Sequence, residues 1–507
     1  MFSRVNAFGF SGAEGYPVTV ECSISNGLPA FDIVGLPDTA VKESRDRVRA
    51  AAKNLDIEFP KGRITVNLAP ADTKKEGALY DLPILLSILR ADGKVPEPSP
   101  DSAYLGELSL SGELRSIRGA LPAAIAAEKY GIKKLYLPAG NAREASFSGD
   151  VTEVYGLNNA SELIMCLTGE REIPREKPCD IESLMSEKPS GTLDFSDVKG
   201  QEDVKRALEV AAAGGHNILM IGPPGSGKSM LASRIPTILP RLTREEALRT
   251  TEIHSLLGLT SREFPIVTER PFRSPHHRTS APALLGGGVS LRAGEISLAH
   301  NGVLFLDELP EFPRDVIEAL REPIERGEIT IARAAGSVTY PASFMLVCAM
   351  NPCKCGWYGY EETHTCTCGE TSVRKYRSKI SGPILDRIDI HVSVRGVSYN
   401  DMTDKRQSET SADIRKRVNR AREIAHVRGA SCNARLNPRK LREVSPMSAE
   451  SEEMLKSAFD SLGFTGRSFD KVLCVARTIA DLDESEEILG EHIAEAIQYR
   501  SFDRADL

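Results

Sequence analysis

The sequence predicts an α/β protein in three parts: a compact mixed α/β domain, a parallel-sheet domain and a closing helical segment. Three observations carry this. Short apolar runs alternate with helix-spaced patterns through the first part. Strands apolar on both faces, "NILMIG", "GVLFLDE" and "SFMLVCAMN", then follow, as in a sheet covered on both sides. From residue 397 onward only helix spacing remains. A chain of 507 residues is too long for one hydrophobic core, and its 41% apolar content is that of globular protein, so several domains are expected.

In the first domain, residues 1–168, "YPVTVECSI", "RITVNLAP" and "KKLYLPAG" read as strands, and "TAVKESRDRVRAAAKNL", "LPILLSILRAD" and "ALPAAIAAEKYG" as helices. Residues 169–193, "GEREIPREKPCDIESLMSEKPSGTL", carry prolines and charges with little apolar periodicity and read as a linker. The parallel-sheet domain spans 194–396. In 397–507, "SADIRKRVNRAREIAHVRG", "SAESEEMLKSAFDSLG", "SFDKVLCVARTIADL" and "GEHIAEAIQYRS" are helix-spaced. There is no internal repeat and no low-complexity tract.

Composition narrows the function. No run reaches the eighteen or so uncharged apolar residues of a membrane helix, and the first residues lack a secretory pattern, so a cytoplasmic location without membrane contact is expected. Thiols stay reduced there, so ten cysteines do not imply a disulfide framework, and six of them are scattered singly. A formal charge of -7 argues against a protein coated with nucleic acid but does not address local patches.

A nucleotide site is written where "NILMIG" runs into Gly222-Pro223-Pro224-Gly225-Ser226-Gly227-Lys228-Ser229 and a helical pattern. Glycines let such a loop close round a phosphate with its N–H groups inward. Lys228 adds charge at the β- and γ-phosphates of ATP, and the Ser229 hydroxyl can ligate Mg²⁺. A connecting turn without ligand is the plain alternative, and motif and context together disfavour it. "GVLFLDELPEF" ends an apolar strand in Asp307, able to hold the Mg²⁺ shell, and Glu308, able to orient or deprotonate the attacking water. Asn351 ends the next apolar strand, where its amide can meet that water or the γ-phosphate, or merely open a turn before Pro352. Arg387 in "SGPILDRIDIHV" and Arg467 in "GFTGRSFDKVLCVARTIADL" offer guanidinium groups that, from a neighbouring subunit, would stabilise transition-state charge.

Cys353-x-Cys355 and Cys366-x-Cys368 lie between Asn351 and Arg387. Four thiolates so spaced can close tetrahedrally round Zn²⁺, with His364 as a substitute ligand, although Cys-x-x-Cys is the commoner spacing. A disulfide is disfavoured by the compartment, and simple burial by the polar "EETHTCTCGE". The following "SVRKYRSKI" makes the knuckle a plausible nucleic-acid contact; a clip that stops a long loop from fraying is the plainer reading.

"GPPGSGKS", "RPFRSPHHRTSAPALLGGG", "GEISLAHNGVLFLDELPEF", "AMNPCKCG" and "GPILDRIDIHV" resemble the magnesium-chelatase-like AAA+ ATPases of the YifB/ComM family, and the resemblance runs over the full chain. It implies an AAA+ core with a helical lid, assembled as a homo-oligomeric ring, most simply a hexamer, with ATP and Mg²⁺ between subunits. It further implies Lys228 and Ser229 as Walker A, Asp307 and Glu308 as Walker B, Asn351 as sensor 1, Arg387 as arginine finger and Arg467 as sensor 2. Arg477, further along the same predicted helix, is the rival for that last role. The family also implies a helix-2 insert, here Arg270 to Leu291, and a presensor-1 hairpin, "ERGEITIARAAGSVTYPAS" with "AAGS" at its tip. Arg270, Arg273, His276, His277, Arg278, Arg292 and Arg333 then form a basic cluster, for phosphate backbones or for ion pairs with acidic neighbours.

The first domain resembles the proteolytic domain of Lon, with its ribosomal S5 domain 2-like fold, especially in "LGELSLSGELRSIRGALPAAIAAEKYGIKKLYLPAGN". Matching "KEGALYDLP" and "IRGALPAAI" to the family's serine and lysine stretches puts Leu79 and Leu121 at the two catalytic positions. Alkyl side chains can neither attack a carbonyl nor take a proton, so an inactive domain is expected. The resemblance implies a motor on single-stranded or branched DNA, a branch-migration helicase in natural transformation with recombination proteins as partners. The alternative is a chelatase-type or protein-remodelling ATPase that drives a partner protein without DNA.

Overall fold

The computed structural model describes residues 1–186, 193–288, 291–333, 336–360, 364–396, 403, 408–462 and 465–500. Its first sheet has seven strands in the order β3-β4-β2-β1-β5-β6-β7. These are β1 (Phe2–Ser11), β2 (Glu14–Ser25), β3 (Ala30–Val34), β4 (Arg63–Ala69), β5 (Ser102–Tyr104), β6 (Lys134–Pro138) and β7 (Glu153–Leu157). Val18, Val20 and Cys22 on β2 and Ile64, Val66 and Leu68 on β4 alternate inward, as strands with one buried face require. Helix α1 (Thr39–Asn54) turns Val41, Val48, Ala51 and Ala52 to the core, and Asp38 caps it by accepting the Val41 N–H at 2.8 Å. Helix α2 (Asp81–Ala91) is buried nearly all round. Asp81, at its start, takes two bonds from Arg47 at 2.7 and 3.0 Å, so the buried carboxylate is paired.

Leu79 packs in this core, whereas Leu121, on α3 (Ala120–Lys129), sits in a separate cluster with Phe147, Ile181, Leu242, Ala247 and Ile266. The two positions matched to a Ser-Lys pair thus fall in different apolar clusters. Ile181 falls inside the stretch expected to be a linker: Ile181–Ser186 is a helix, and Ile181 is buried where the first domain meets the second. Residues 187–192 of that stretch lie outside the described residues. Glu144, buried at the same junction, accepts the Leu121 N–H at 3.0 Å, the Thr260 hydroxyl at 3.0 Å and the Ser255 hydroxyl. Burial raises its pKa against these donors.

The second sheet is wholly parallel, five strands in the order β9-β10-β13-β8-β14. After helix α4 (Glu202–Gly214) come β8 (Ile218–Ile221), α5 (Lys228–Ile238), α6 (Arg244–Leu256), β9 (Phe272–Arg273) and β10 (Val303–Leu306). The hairpin β11 (Glu328–Arg333) and β12 (Gly336–Pro341) precedes β13 (Met345–Met350) and β14 (Ile390–Ser393). Every residue of β8, β10 and β13 is buried, which is why they read as continuous apolar runs. The expected insert needs one correction: near its start, Phe272–Arg273 are the edge strand beside β10. Two residues leave no periodicity to read. The 328–341 hairpin is present, and its expected tip includes residues 334 and 335, outside the described set.

Helices α7 (Ser411–Val427), α8 (Gly466–Leu482) and α9 (Gly490–Gln498), with Pro438–Glu443 and Ala449–Leu462, close the chain. No strand follows β14 among the described residues. Most of α8 is buried, with Val472, Val475, Ala476 and Ile479 in the core shared with the second sheet. No helix among the described residues is long and apolar enough to cross a membrane.

Candidate nucleotide site

Strand β8 hands the chain to residues 222–227, and α5 begins at Lys228. Gly225 and Gly227 have φ of 77° and 85°, the left-handed region that side chains rarely adopt, and this turns the loop back over the helix N-terminus. Lys228 is 8% exposed. Its ammonium donates to the carbonyls of Gly222 at 2.8 Å and Pro223 at 2.9 Å, and lies 3.4 Å from Ser226 Oγ and 3.3 Å from Asn351 Oδ1. Burial lowers the Lys228 pKa, while Asp307 and Glu308 act in the opposite sense. The Ser229 hydroxyl donates to Asp307 Oδ2 at 2.7 Å. Lys228, Ser229, Asp307 and Asn351, from three adjacent parallel strands and one helix, thus meet at the carboxyl ends of the strands, where open α/β sheets bind ligands.

Glu308 follows with a backbone φ of 54°, a left-handed conformation that costs energy in a residue other than glycine. Its Oε2 lies 3.2 Å from His277 Nδ1. The sequence assigns His277 to the basic cluster; only the pairing of β9 with β10 brings it beside Glu308, and no local signal announces it.

The two arginines lie elsewhere. Arg387 and Arg467 line a cleft of about 1490 Å³ that no residue of the 222–229 loop lines. Arg387 donates to the Pro383 carbonyl at 2.6 Å and is ion-paired with Glu325. Arg467 is exposed in the first turn of α8, whereas Arg477 is 2% exposed, paired with Asp481 at 3.1 Å and bonded to the Glu486 carbonyl at 2.7 Å. Of the two rivals, Arg477 is held inside the fold and only Arg467 faces a space that a ligand could enter.

The basic cluster divides in the same way. Arg270 is half-buried on the carbonyls of Pro240 and Asn301, with Glu246 at 2.9 Å, and Arg273 is bidentate to Glu295 at 2.6 and 2.8 Å. These two are held by contacts within their own chain. His276, Arg278, Arg292 and Arg333 are exposed.

The Sγ atoms of Cys353, Cys355, Cys366 and Cys368 lie within 4.8 Å of one another, three of the separations being 3.3, 3.5 and 3.8 Å. Tetrahedral Zn–S bonds of about 2.3 Å place sulfurs roughly 3.8 Å apart, so the set fits zinc, and every cysteine is free of disulfide. Against the effect of burial, the N–H groups of Trp357 and Thr367 bring Cys355 down to about 5. Against backbone hydrogen bonds, those to the neighbouring sulfurs push Cys366 up to about 12 and Cys368 up as well, so without a metal the cluster favours a single thiolate. His364 is not in the set; its ring lies edge-on to Trp357 at 4.3 Å. Gly356 leans on the phosphate loop so closely that a Cβ there would come within 2.6 Å of Pro224. In the basic flank, Arg377 is buried and bonded to the Pro352 carbonyl at 3.1 Å, while Arg374 and Lys375 face solvent.

Family models described as magnesium chelatase subunit ChlI match residues 194–402, those of subunit ChlI of Mg-chelatase residues 20–141, and those of the ChlI C-terminal part residues 408–500. The chain is 42% identical to competence protein ComM of Haemophilus influenzae over 495 residues, covering 97% of this chain and 96% of that protein. It is 44% identical to the uncharacterized protein YifB of Escherichia coli over 499 residues, with the same coverage. The chain belongs to the YifB/ComM family of magnesium-chelatase-like proteins. A more distant likeness, 26% identity over 175 residues and 31% of this chain, links it to the magnesium-chelatase 38 kDa subunit of Cereibacter sphaeroides, 52% of which is covered. As a YifB/ComM-family member the protein is an AAA+-type ATPase. The loop geometry and the Ser229–Asp307 pair suit its expected ligands, ATP and Mg²⁺.

Proposed function

We propose that this protein is an ATP-driven ring motor, a hexamer by the family's habit, that moves branched or single-stranded DNA. The observation that carries it is the division of the site: phosphate-binding groups gather at residues 222–229, while Arg387 and Arg467 share a cleft that the loop does not line. A group that must reach a γ-phosphate but faces away from its own loop serves a neighbouring copy. Lys228 would turn from the loop carbonyls to the phosphates, Glu308 would orient and deprotonate the attacking water, Asn351 would hold that water or the γ-phosphate, and Arg387 and Arg467 would meet the developing charge. Mg²⁺, when bound, neutralises phosphate charge; Ser229 and Asp307 would hold it.

DNA enters the reading through Arg278 on the insert, Arg292 just past its end and Arg333 on the hairpin, all three exposed. Gly287, the strand partner of Arg292, lies close enough to Arg333 that a Cβ there would be 3.8 Å from Nη2, so the two arginines form one patch. The name of the Haemophilus relative, a competence protein, supports a role in competence. We expect hydrolysis to rise with four-way-junction or single-stranded DNA, and the rise to vanish between about 50 and 200 mM salt. Joint replacement of Arg292 and Arg333 by alanine should remove it. A rate indifferent to DNA at low salt, in assembled protein, overturns the DNA motor and favours a chelatase-type ATPase that waits for a partner protein.

Zinc in the four-cysteine knuckle completes the proposal. Purified protein should carry about one zinc per chain by elemental analysis. Cys353→Ser with Cys366→Ser should lose it, and should weaken nucleotide binding through the Gly356–Pro224 contact. Metal-free protein with unaltered nucleotide affinity in the double variant refutes this.

A further inference from the structure

A second polar constellation lies at the other end of β8 from the phosphate loop. Asn217, the residue before β8, uses each of its polar groups. Its N–H donates to Asp389 Oδ2 at 3.1 Å, and its carbonyl accepts the N–H groups of Asp389 at 2.9 Å and Ile390 at 3.1 Å. Its side-chain Nδ2 donates to the Arg387 carbonyl at 2.9 Å, and its Oδ1 accepts the Leu346 N–H at 2.9 Å. One residue therefore ties the starts of β8 and β13 to the segment that carries Arg387.

Asp389 carries the link into the helical part. It is ion-paired with Lys471, one turn beyond Arg467 on α8, and lies 3.5 Å from His216 Nδ1. The other ring nitrogen of His216 meets the Thr478 hydroxyl at 2.8 Å, two turns further along α8. Burial opposes ionisation of Asp389, yet Lys471 and His216 hold its carboxyl well below the usual carboxylate range. Its side chain is 14% exposed and that of Lys471 20%, so water screens the pair little. Such a pair adds little net stability, because desolvation offsets the attraction; a well-packed apolar pair would hold the helix as firmly. What the charges add is a fixed register between α8 and the 386–389 segment. Asn217, Arg387, Asp389, Arg467 and Lys471 all line the same cleft.

We propose that Asp389, supported by Asn217, is a positioning residue that sets Arg387 and Arg467 as one rigid guanidinium pair for phosphates bound by a second copy of this chain. The inference rests on the reading of the cleft given under the proposed function. It predicts that Asp389 affects a neighbour's hydrolysis and not nucleotide binding by its own loop.

The test is complementation between defective chains. Asp389→Asn alone should lower kcat about 10- to 100-fold, as a small misplacement of a charged group does, with KM for ATP changed less than about threefold. Assembled with Lys228→Ala chains, which have a crippled loop and an intact cleft, it should regain hydrolysis, because random mixing gives roughly a quarter of the interfaces a sound loop beside a sound cleft. Mixtures of Arg387→Ala with Lys228→Ala are the control. Recovery there without recovery for Asp389→Asn overturns the positioning role alone. Recovery in neither mixture overturns the reading of the cleft on which it rests. Should Asp389→Asn not fold, Lys471 supplies the second arm. Lys471→Arg, which keeps the charge, should retain hydrolysis within about threefold at an unchanged melting temperature, and Lys471→Met, which strands the Asp389 charge and lowers the melting temperature, should lose hydrolysis as Asp389→Asn does even well below that temperature. Equal loss in both Lys471 variants with lowered melting temperatures shows a merely structural role and overturns the proposal.

Discussion

Lys228→Ala should reduce ATP hydrolysis at least about 100-fold, because it removes a buried cation at the phosphate loop. The residue is only 8% exposed, and this burial lowers its pKa, so its attraction for phosphate is screened less than at a surface. Methionine at the same position would fill the space without the charge and should be equally inactive, which separates charge from packing. Glu308→Gln should keep nucleotide bound and slow its cleavage about 10²- to 10³-fold, the size of effect expected when a general base becomes an amide. Single-turnover hydrolysis beside equilibrium binding of ATP measures both. Cleavage by Lys228→Ala at the parental rate would place the nucleotide elsewhere.

Arg387→Ala should cost about 10³-fold in kcat in the assembled protein and leave nucleotide binding by the isolated chain nearly unchanged. The guanidinium bonds to Pro383 and Glu325 within its own chain and lines the cleft, not the phosphate loop. A group contributing only to the transition state lowers kcat and kcat/KM together. Loss of ATP binding in the monomeric variant, or undiminished turnover in the assembly, contradicts the assignment. Arg467→Ala should fall in the same class, whereas Arg477→Ala should destabilise the fold, because it leaves the buried Asp481 short of a partner.

The parts legible in the sequence are those whose signal is local. Strands β8, β10 and β13 are buried on both faces and so are continuous apolar runs, and the loop between β8 and α5 has to carry glycines at φ values that other residues resist. The long helices of the closing segment show their spacing for the same reason. Edge strand β9 has two residues, and β14 is short and sits inside a motif read for Arg387, so neither offers a pattern of its own. Strand β1 was equally silent, because polar Arg4 and Asn6 interrupt its apolar residues and its neighbours come from both directions along the chain. What sequence could not reach is tertiary pairing. Arg270, open in the sequence to phosphate or to an ion pair, is half-buried and paired with Glu246; His277 lies against Glu308; Asn217 and Asp389 stand inside "NILMIG" and "SGPILDRIDIHV" with no role announced there, and join four elements.

The claim that one chain's phosphate loop is completed by the arginine cleft of the next is tested most directly by the rate of ATP hydrolysis per chain across a dilution series, with oligomeric state followed by light scattering at each point. Hydrolysis per chain that falls as the assembly dissociates, while ATP still binds the released chains, is the predicted result. A rate per chain that stays constant down to the monomer would contradict it.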